Sequence, residues 1–274
     1  MRGVFRLRPA GIMSACAVAA SLAAAPLGAQ TVRPVANHAA AYPPCKVASE
    51  RASLASPLVR TARKLAANMP VKVVALGSSS TYGFGASSPA ASYPSRLAED
   101  LALRLPGRPI TVLNRGRNND EVAQTLARLD RDVIAEQPDL ILWQIGTNAL
   151  LWNMPLQPSD LQHGLSRMKA AGADVVLIDP QFAPRVIPAH NAERMVSLVA
   201  SIAATERVGV FQRYALMRHW HETEHLPLHV FLSKDGLHMN DWSYACLGKW
   251  IGTAIVGAAA LSVAALAEVP TALH

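Results

Sequence analysis

The sequence predicts an α/β fold in which a five-stranded parallel sheet lies between two layers of helices. Three observations point to it. Short apolar runs rich in β-branched residues recur at 71–76, 110–113, 140–145 and 175–178, with a weaker fifth at 208–211. Between them lie stretches with apolar residues at helical spacing, at 93–105, 121–135, 159–171 and 191–205. The runs are predominantly apolar rather than alternating, as in strands buried on both faces of a sheet.

The regions outside this alternation set the expected domain boundaries. Residues 1–29 start with Arg2, Arg6 and Arg8, continue through a short apolar stretch and end in small residues. That order is the pattern of a secretory signal peptide, with cleavage expected after Ala29 and a periplasmic or secreted destination. Residues 30–69 are expected to form a Pro- and Ala-rich tether, followed by a helix over 49–69. The domain proper is expected at 70–258, with a tail at 259–274. The 18 residues of 250–267 carry no charge and are mostly apolar, but Ala and Gly dominate them and Lys249 and Glu268 bracket them. They predict a packing helix rather than a stable membrane span, and Asn240-Asp241 supplies a natural N-cap upstream.

Removing the leader lowers the formal charge from +7 to +4. The remaining excess is spread out and forms no Lys/Arg stripe of the kind nucleic acid selects. Of the three cysteines, Cys16 leaves with the leader. Cys45 and Cys246 remain in a compartment that permits disulfides, and a bridge between them is expected.

Ligands of such sheets bind outside the carboxyl ends of the strands. The first strand runs into Gly77-Ser78-Ser79-Ser80-Thr81, and the second into Asn114-Arg115-Gly116-Arg117-Asn118-Asn119-Asp120. The third ends in Gln144-Ile145-Gly146-Thr147-Asn148, and Asp235-Gly236-Leu237-His238 lies near the C-terminus. Each segment alone reads as a turn, a loop or a capped strand end. Together they offer a serine alcohol, a histidine able to act as its base and a carboxylate able to orient that base. An Asn amide and main-chain N–H groups could stabilise an oxyanion. The elbow G-x-S-x-G of α/β hydrolases is absent, because Thr81 stands where its second glycine would be.

In these blocks and in their order the sequence resembles the SGNH, or GDSL-type, esterases and lipases. Gly77-Ser78-Ser79-Ser80-Thr81 is similar to the family's Gly-Asp-Ser-x-Thr/Ser block. Gly146-Thr147-Asn148 is similar to Gly-x-Asn-Asp, and Asp235 and His238 match Asp-x-x-His. The resemblance covers about residues 71–250 and is strongest to the small periplasmic acyl-thioesterase and lysophospholipase branch. It implies a flavodoxin-like α/β/α sandwich and catalysis by Ser79, Asp235 and His238. It further implies an oxyanion hole built from the N–H groups of Ser79 and Asn119 and the amide of Asn148. Three positions depart from the pattern: Ser78 and Ala149 replace aspartates, and Asn119 replaces a glycine. At position 119 the donor is a backbone N–H, and Asn tolerates positive φ better than other non-glycine residues.

The expected activity is therefore ester or thioester hydrolysis by a cofactor-free monomer. Its substrate would be a small acyl ester, a lysolipid or an acylated glycan. Acyl transfer to a sugar hydroxyl would use the same residues, and a binding module on a hydrolase scaffold is the non-enzymatic alternative. His221-Glu222-Thr223-Glu224-His225 fits H-E-x-x-H, the zinc-protease pattern. Pro227 would cut such a helix short and a third ligand is missing, so a metal is not expected.

Overall fold

The computed structural model describes residues 43–46, 52–189 and 191–267, with side chains as far as Ser262. All belong to one unit, residues 42–274. The expected leader and most of the expected tether lie outside the described residues. Five parallel strands, β1 (Val71–Gly77), β2 (Ile110–Gly116), β3 (Leu140–Gln144), β4 (Asp174–Ile178) and β5 (Gly209–Phe211), form one sheet in the order β2-β1-β3-β4-β5. Each grows from one of the five apolar runs. The central strands β1 and β3 are buried along almost their whole length, whereas the edge strand β2 is partly exposed.

Right-handed crossovers dictate the layering. The chain moves one way from β1 to β2 through α3 (Tyr93–Arg104). It moves the other way through α4 (Val122–Ala127) and α5 (Leu129–Asp132), then α7 (Pro158–Ala170), then α8 (Ala192–Glu206). Helix α3 thus falls on one face, packed with α1 (Val59–Ala66) and the last helix, α11 (Asp241–Ala267). Helices α4, α7 and α8 pack together on the other. Two short helices start at strand ends: α2 (Ser79–Tyr82) after β1 and α6 (Thr147–Leu151) after β3. Helices α9 (Arg213–Glu222) and α10 (Leu228–Phe231) follow β5. The strand order reverses between β1 and β3, which places a crevice at their carboxyl ends.

Helix α11 is long and apolar enough to cross a membrane by length and composition, yet it is mostly buried in the fold. Trp250, Ile251, Ala254 and Ile255 are all buried on it. Gly248 faces α3, where an added Cβ would stand 2.8 Å from the Leu97 nitrogen, so glycine sets the close approach of the two helices. Cys246 on α11 is bonded to Cys45, the Cα atoms 5.6 Å apart and the residues 201 apart in sequence. Trp242 Nε1 donates to the Pro43 carbonyl beside it at 2.8 Å. Closing so long a loop is worth roughly 2–4 kcal/mol.

Several boundaries differ from expectation. Helix α11 begins at Asp241 and continues through Ala267, so the expected break between domain and tail at 258/259 falls inside it. Among the described residues of the helix expected over 49–69, only Val59–Ala66 is α-helical; Ser56 and Pro57 favour a turn before it. The helix expected over 121–135 breaks at Arg128 (φ −115°, ψ 6°). Its guanidinium turns inward to Asp120 Oδ2 (2.6 Å), Asp132 Oδ2 (3.2 Å) and the Gly77 carbonyl (3.2 Å).

Candidate active site

Ser79 is the first residue of α2, where β1 ends. The turn is tethered to β3 by Gln144, whose Oε1 accepts Ser78 N–H (3.0 Å), Ser78 Oγ (3.0 Å) and Thr81 Oγ1 (3.3 Å). Gly77 is required there, since a Cβ would stand 2.9 Å from Gln144 Cβ. Ser78, the departure from the family aspartate, thus has a defined structural partner.

The Asp235–His238 loop is organised by its own carboxylate. Asp235 Oδ1 accepts the N–H groups of Leu237 and His238, each at 2.9 Å, and Ser233 Oγ at 2.7 Å. Gly236 allows the turn with φ 65°. Oδ2 is left for the His238 ring, whose Nδ1 donates to it at 2.5 Å. The opposite nitrogen, Nε2, accepts Ser79 Oγ–H at 2.8 Å. Burial would raise the Asp235 pKa, but the hydrogen bonds from His238, Ser233 and the two backbone N–H groups outweigh it and hold the carboxyl well below its usual range. The Phe84 ring lies 4.5 Å from the imidazole, centroid to centroid, and shields it on one side.

Asn119 has φ 64°. It occupies the third position of a turn closed by Asp120 N–H to the Arg117 carbonyl (3.3 Å), where left-handed Gly or Asn is favoured. Arg117 N–H in turn donates to the Gly77 carbonyl at 3.0 Å, so this turn abuts the nucleophile strand. Asn148 is the second residue of α6, which starts after Gly146 in a left-handed conformation. Its Nδ2 donates to the Asp120 carbonyl at 3.1 Å, which leaves the second amide hydrogen free to meet a ligand. The structure therefore brings Ser79, His238 and Asp235 into one hydrogen-bonded chain. It sets the Asn119 turn and Asn148 against each other beside that chain.

The His219–His229 segment is organised differently. Helix α9 ends at Glu222, and His225 has φ 54°, so His221 and His225 do not share a helix face. His221 Nδ1 donates to the Leu226 carbonyl at 3.1 Å, and its ring lies tilted to Phe182 and edge-on to Phe231. Among the described residues, no three His, Cys, Asp or Glu side chains converge on a common point for a metal.

Sequence reasoning missed several supports. Gln181 is fully buried three residues beyond β4; its Oε1 accepts Ser80 Oγ (2.9 Å) and its Nε2 donates to the Leu237 carbonyl (3.2 Å). It thereby joins the serine turn to the histidine loop. Below α6, buried Arg213 donates to the Asp179 carbonyl (3.0 Å) and to Thr147 Oγ1 (3.4 Å). Both Asp179 and Gln181 lie just past a strand end, the signal that could have found them.

A family model described as the non-GDSL lipase-like family matches residues 44–261. The chain belongs to the non-GDSL lipase-like family. That match takes in all five strands and every residue of the site. An arylesterase of Vibrio mimicus is 34% identical over 95 residues, 34% of this chain and 46% of the relative. The chain thus aligns with about half the length of that curated relative. Among solved structures, a two-domain esterase active on acetylated mannans superposes with TM-score 0.65 at 18% identity, covering 79% of this chain and 58% of that one. A variant of an acetyl xylan esterase from Geobacillus stearothermophilus gives 0.58 at 20%, covering 69% and 98%. At these identities the likeness is one of fold, and the fold is that of the SGNH hydrolases.

Proposed function

We propose that this member of the family is an exported serine hydrolase that cleaves carboxylic esters through an acyl-enzyme on Ser79. The observation that carries the reading is the continuous chain from Ser79 Oγ to His238 Nε2 and from His238 Nδ1 to Asp235. As Ser79 Oγ bonds to the acyl carbon, its proton passes to Nε2, and Asp235 stabilises the imidazolium without taking the proton. The carbonyl oxygen becomes an oxyanion facing the N–H groups of Ser79 and Asn119 and the free amide hydrogen of Asn148. Collapse expels the alcohol, which leaves with the proton from Nε2. Water, deprotonated by the same nitrogen, then releases the acid and frees Ser79.

Beside Ala149, the neighbour of Asn148, lies an open cavity of about 620 Å³ lined in part by Leu150, Met154, Leu156, Met195 and Leu198. Its apolar wall suits an acyl chain, while the acetylated mannans named for a similar structure argue for a short acyl group. Aryl esters of increasing acyl length decide between these substrates. Each buried CH₂ is worth up to about 0.8 kcal/mol, so an occupied cavity yields kcat/KM rising steeply with chain length. The test of the reaction itself is turnover of an aryl acetate by the purified protein and by Ser79→Ala. Hydrolysis abolished in the variant supports it, and equal hydrolysis by both rejects it.

A further inference from the structure

The resemblance leads one to expect an aspartate after Asn148, and Ala149 stands there instead. A carboxylate nevertheless reaches this point from another segment. Glu121, two residues beyond Asn119, accepts the N–H of Ala149 through Oε1 at 2.9 Å. Next to it, Asn148 Nδ2 donates to the Asp120 carbonyl at 3.1 Å. The two loops are thus stitched together twice, once through each member of the pair Asp120-Glu121. Glu121 is also the N-cap of α4, where its side chain and that of Gln124 form a capping box. Burial raises its pKa, against the backbone N–H groups of Ala149, Val122 and Asn148 that stabilise the charge.

We infer that Glu121 is a positioning residue for the oxyanion hole: by holding the Ala149 N–H, its carboxylate fixes the Asn148 amide relative to the Asn119 N–H. This rests on the acyl-enzyme reading, because only then does an oxyanion form between those donors. A carboxylate supplied by the second loop takes over the anchoring that position 149 cannot provide. Its effect belongs to the transition state, where a donor displaced by a fraction of an ångström loses most of its value.

Glu121→Ser separates this role from helix capping. Serine is a good N-cap for α4 but is too short to reach Ala149. With an aryl acetate, kcat should fall about 10- to 100-fold while KM stays within about threefold. An alkyl boronic acid, which mimics the tetrahedral intermediate, should bind more weakly by the same factor as kcat/KM falls, at an unchanged melting temperature. Glu121→Gln, whose amide oxygen can still accept the Ala149 N–H, should stay within about threefold of the parent. If the serine variant does not fold, Glu121→Asn, also a capping residue too short to reach, takes its place. Unimpaired kcat in the short variant, a loss carried by KM, or equal damage from Gln and Ser would overturn the inference. Ser79→Ala, assayed alongside, separates the two ideas. If it turns over normally, the acyl-enzyme reading falls and the inference with it. If it is inactive while Glu121→Ser is unimpaired, the inference alone fails.

Discussion

The two halves of the candidate site are built in different ways. The half bearing Asp235 and His238 is closed mainly by local bonds, with Gln181 adding a long-range tie at Leu237: one carboxylate gathers a hydroxyl two residues back, two N–H groups and an imidazole three residues ahead. The half bearing Asn119 and Asn148 is assembled at long range. Its members come from different strand ends and are held by Asp120, Glu121 and Arg128, the last reaching back to the Gly77 carbonyl. A locally closed loop keeps its geometry when distant residues change. A cross-linked pair of loops does not, so the oxyanion half should be the more sensitive to substitutions that touch no substrate.

The largest effect is expected at Ser79. Its replacement by alanine should lower kcat at least about 10⁴-fold while melting as the parent does. Asp235→Asn should cost about 10³- to 10⁴-fold, because the amide no longer fixes the imidazole in the right tautomer. Asn148→Ala should cost on the order of 10²–10³ in kcat with little change in KM. At position 119 the backbone alone matters: Asn119→Gly should match or exceed the parent, and Asn119→Val should be impaired because a β-branched residue resists positive φ. Equal activities of the Gly and Val variants would mean that this N–H does not face the oxyanion.

The smallest effect concerns the buried floor beneath α6. Asp179 has its pKa pushed up to about 7 by burial, despite the Tyr214 N–H and the Arg213 charge. Its unfolded pKa is about 3.9. Between these values the folded chain holds a proton that the unfolded chain has lost. The stability tied to this group is therefore complete below about pH 4 and disappears as pH rises through about 7. Asp179→Asn keeps an oxygen for the Tyr214 N–H and removes the titration. Melting temperatures from pH 4 to 8 should fall less steeply in the variant than in the parent, and parallel curves would contradict the assignment.

The same contrast explains what could be read from the sequence. The apolar runs of β1, β3 and β4 became strands because burial on both faces permits little but apolar residues, whereas β2 at the sheet edge is only partly buried. Ser79, Asp235 and His238 were legible because a local turn and a short motif place them. Asn119 was singled out only by the resemblance; what its own chemistry made legible is the positive φ that the residue adopts. Glu121, Gln181 and Arg128 were not, since each acts on partners far away in sequence and no spacing encodes that. Arg128 also ended the α4 stretch early, where periodicity alone predicted one longer helix. The HExxH segment shows the converse: its spacing matched a metal motif, but the helix stops between the two histidines.

The central claim is that Ser79 carries the acyl group. A fluorophosphonate probe reacts with a serine that is activated by a base and faces an oxyanion hole, so it reports both halves of the site at once. Peptide mass mapping after labelling should place one adduct per chain on Ser79, and none should form in His238→Ala. An adduct on Ser78 or Ser80, or labelling undiminished in His238→Ala, would contradict the account.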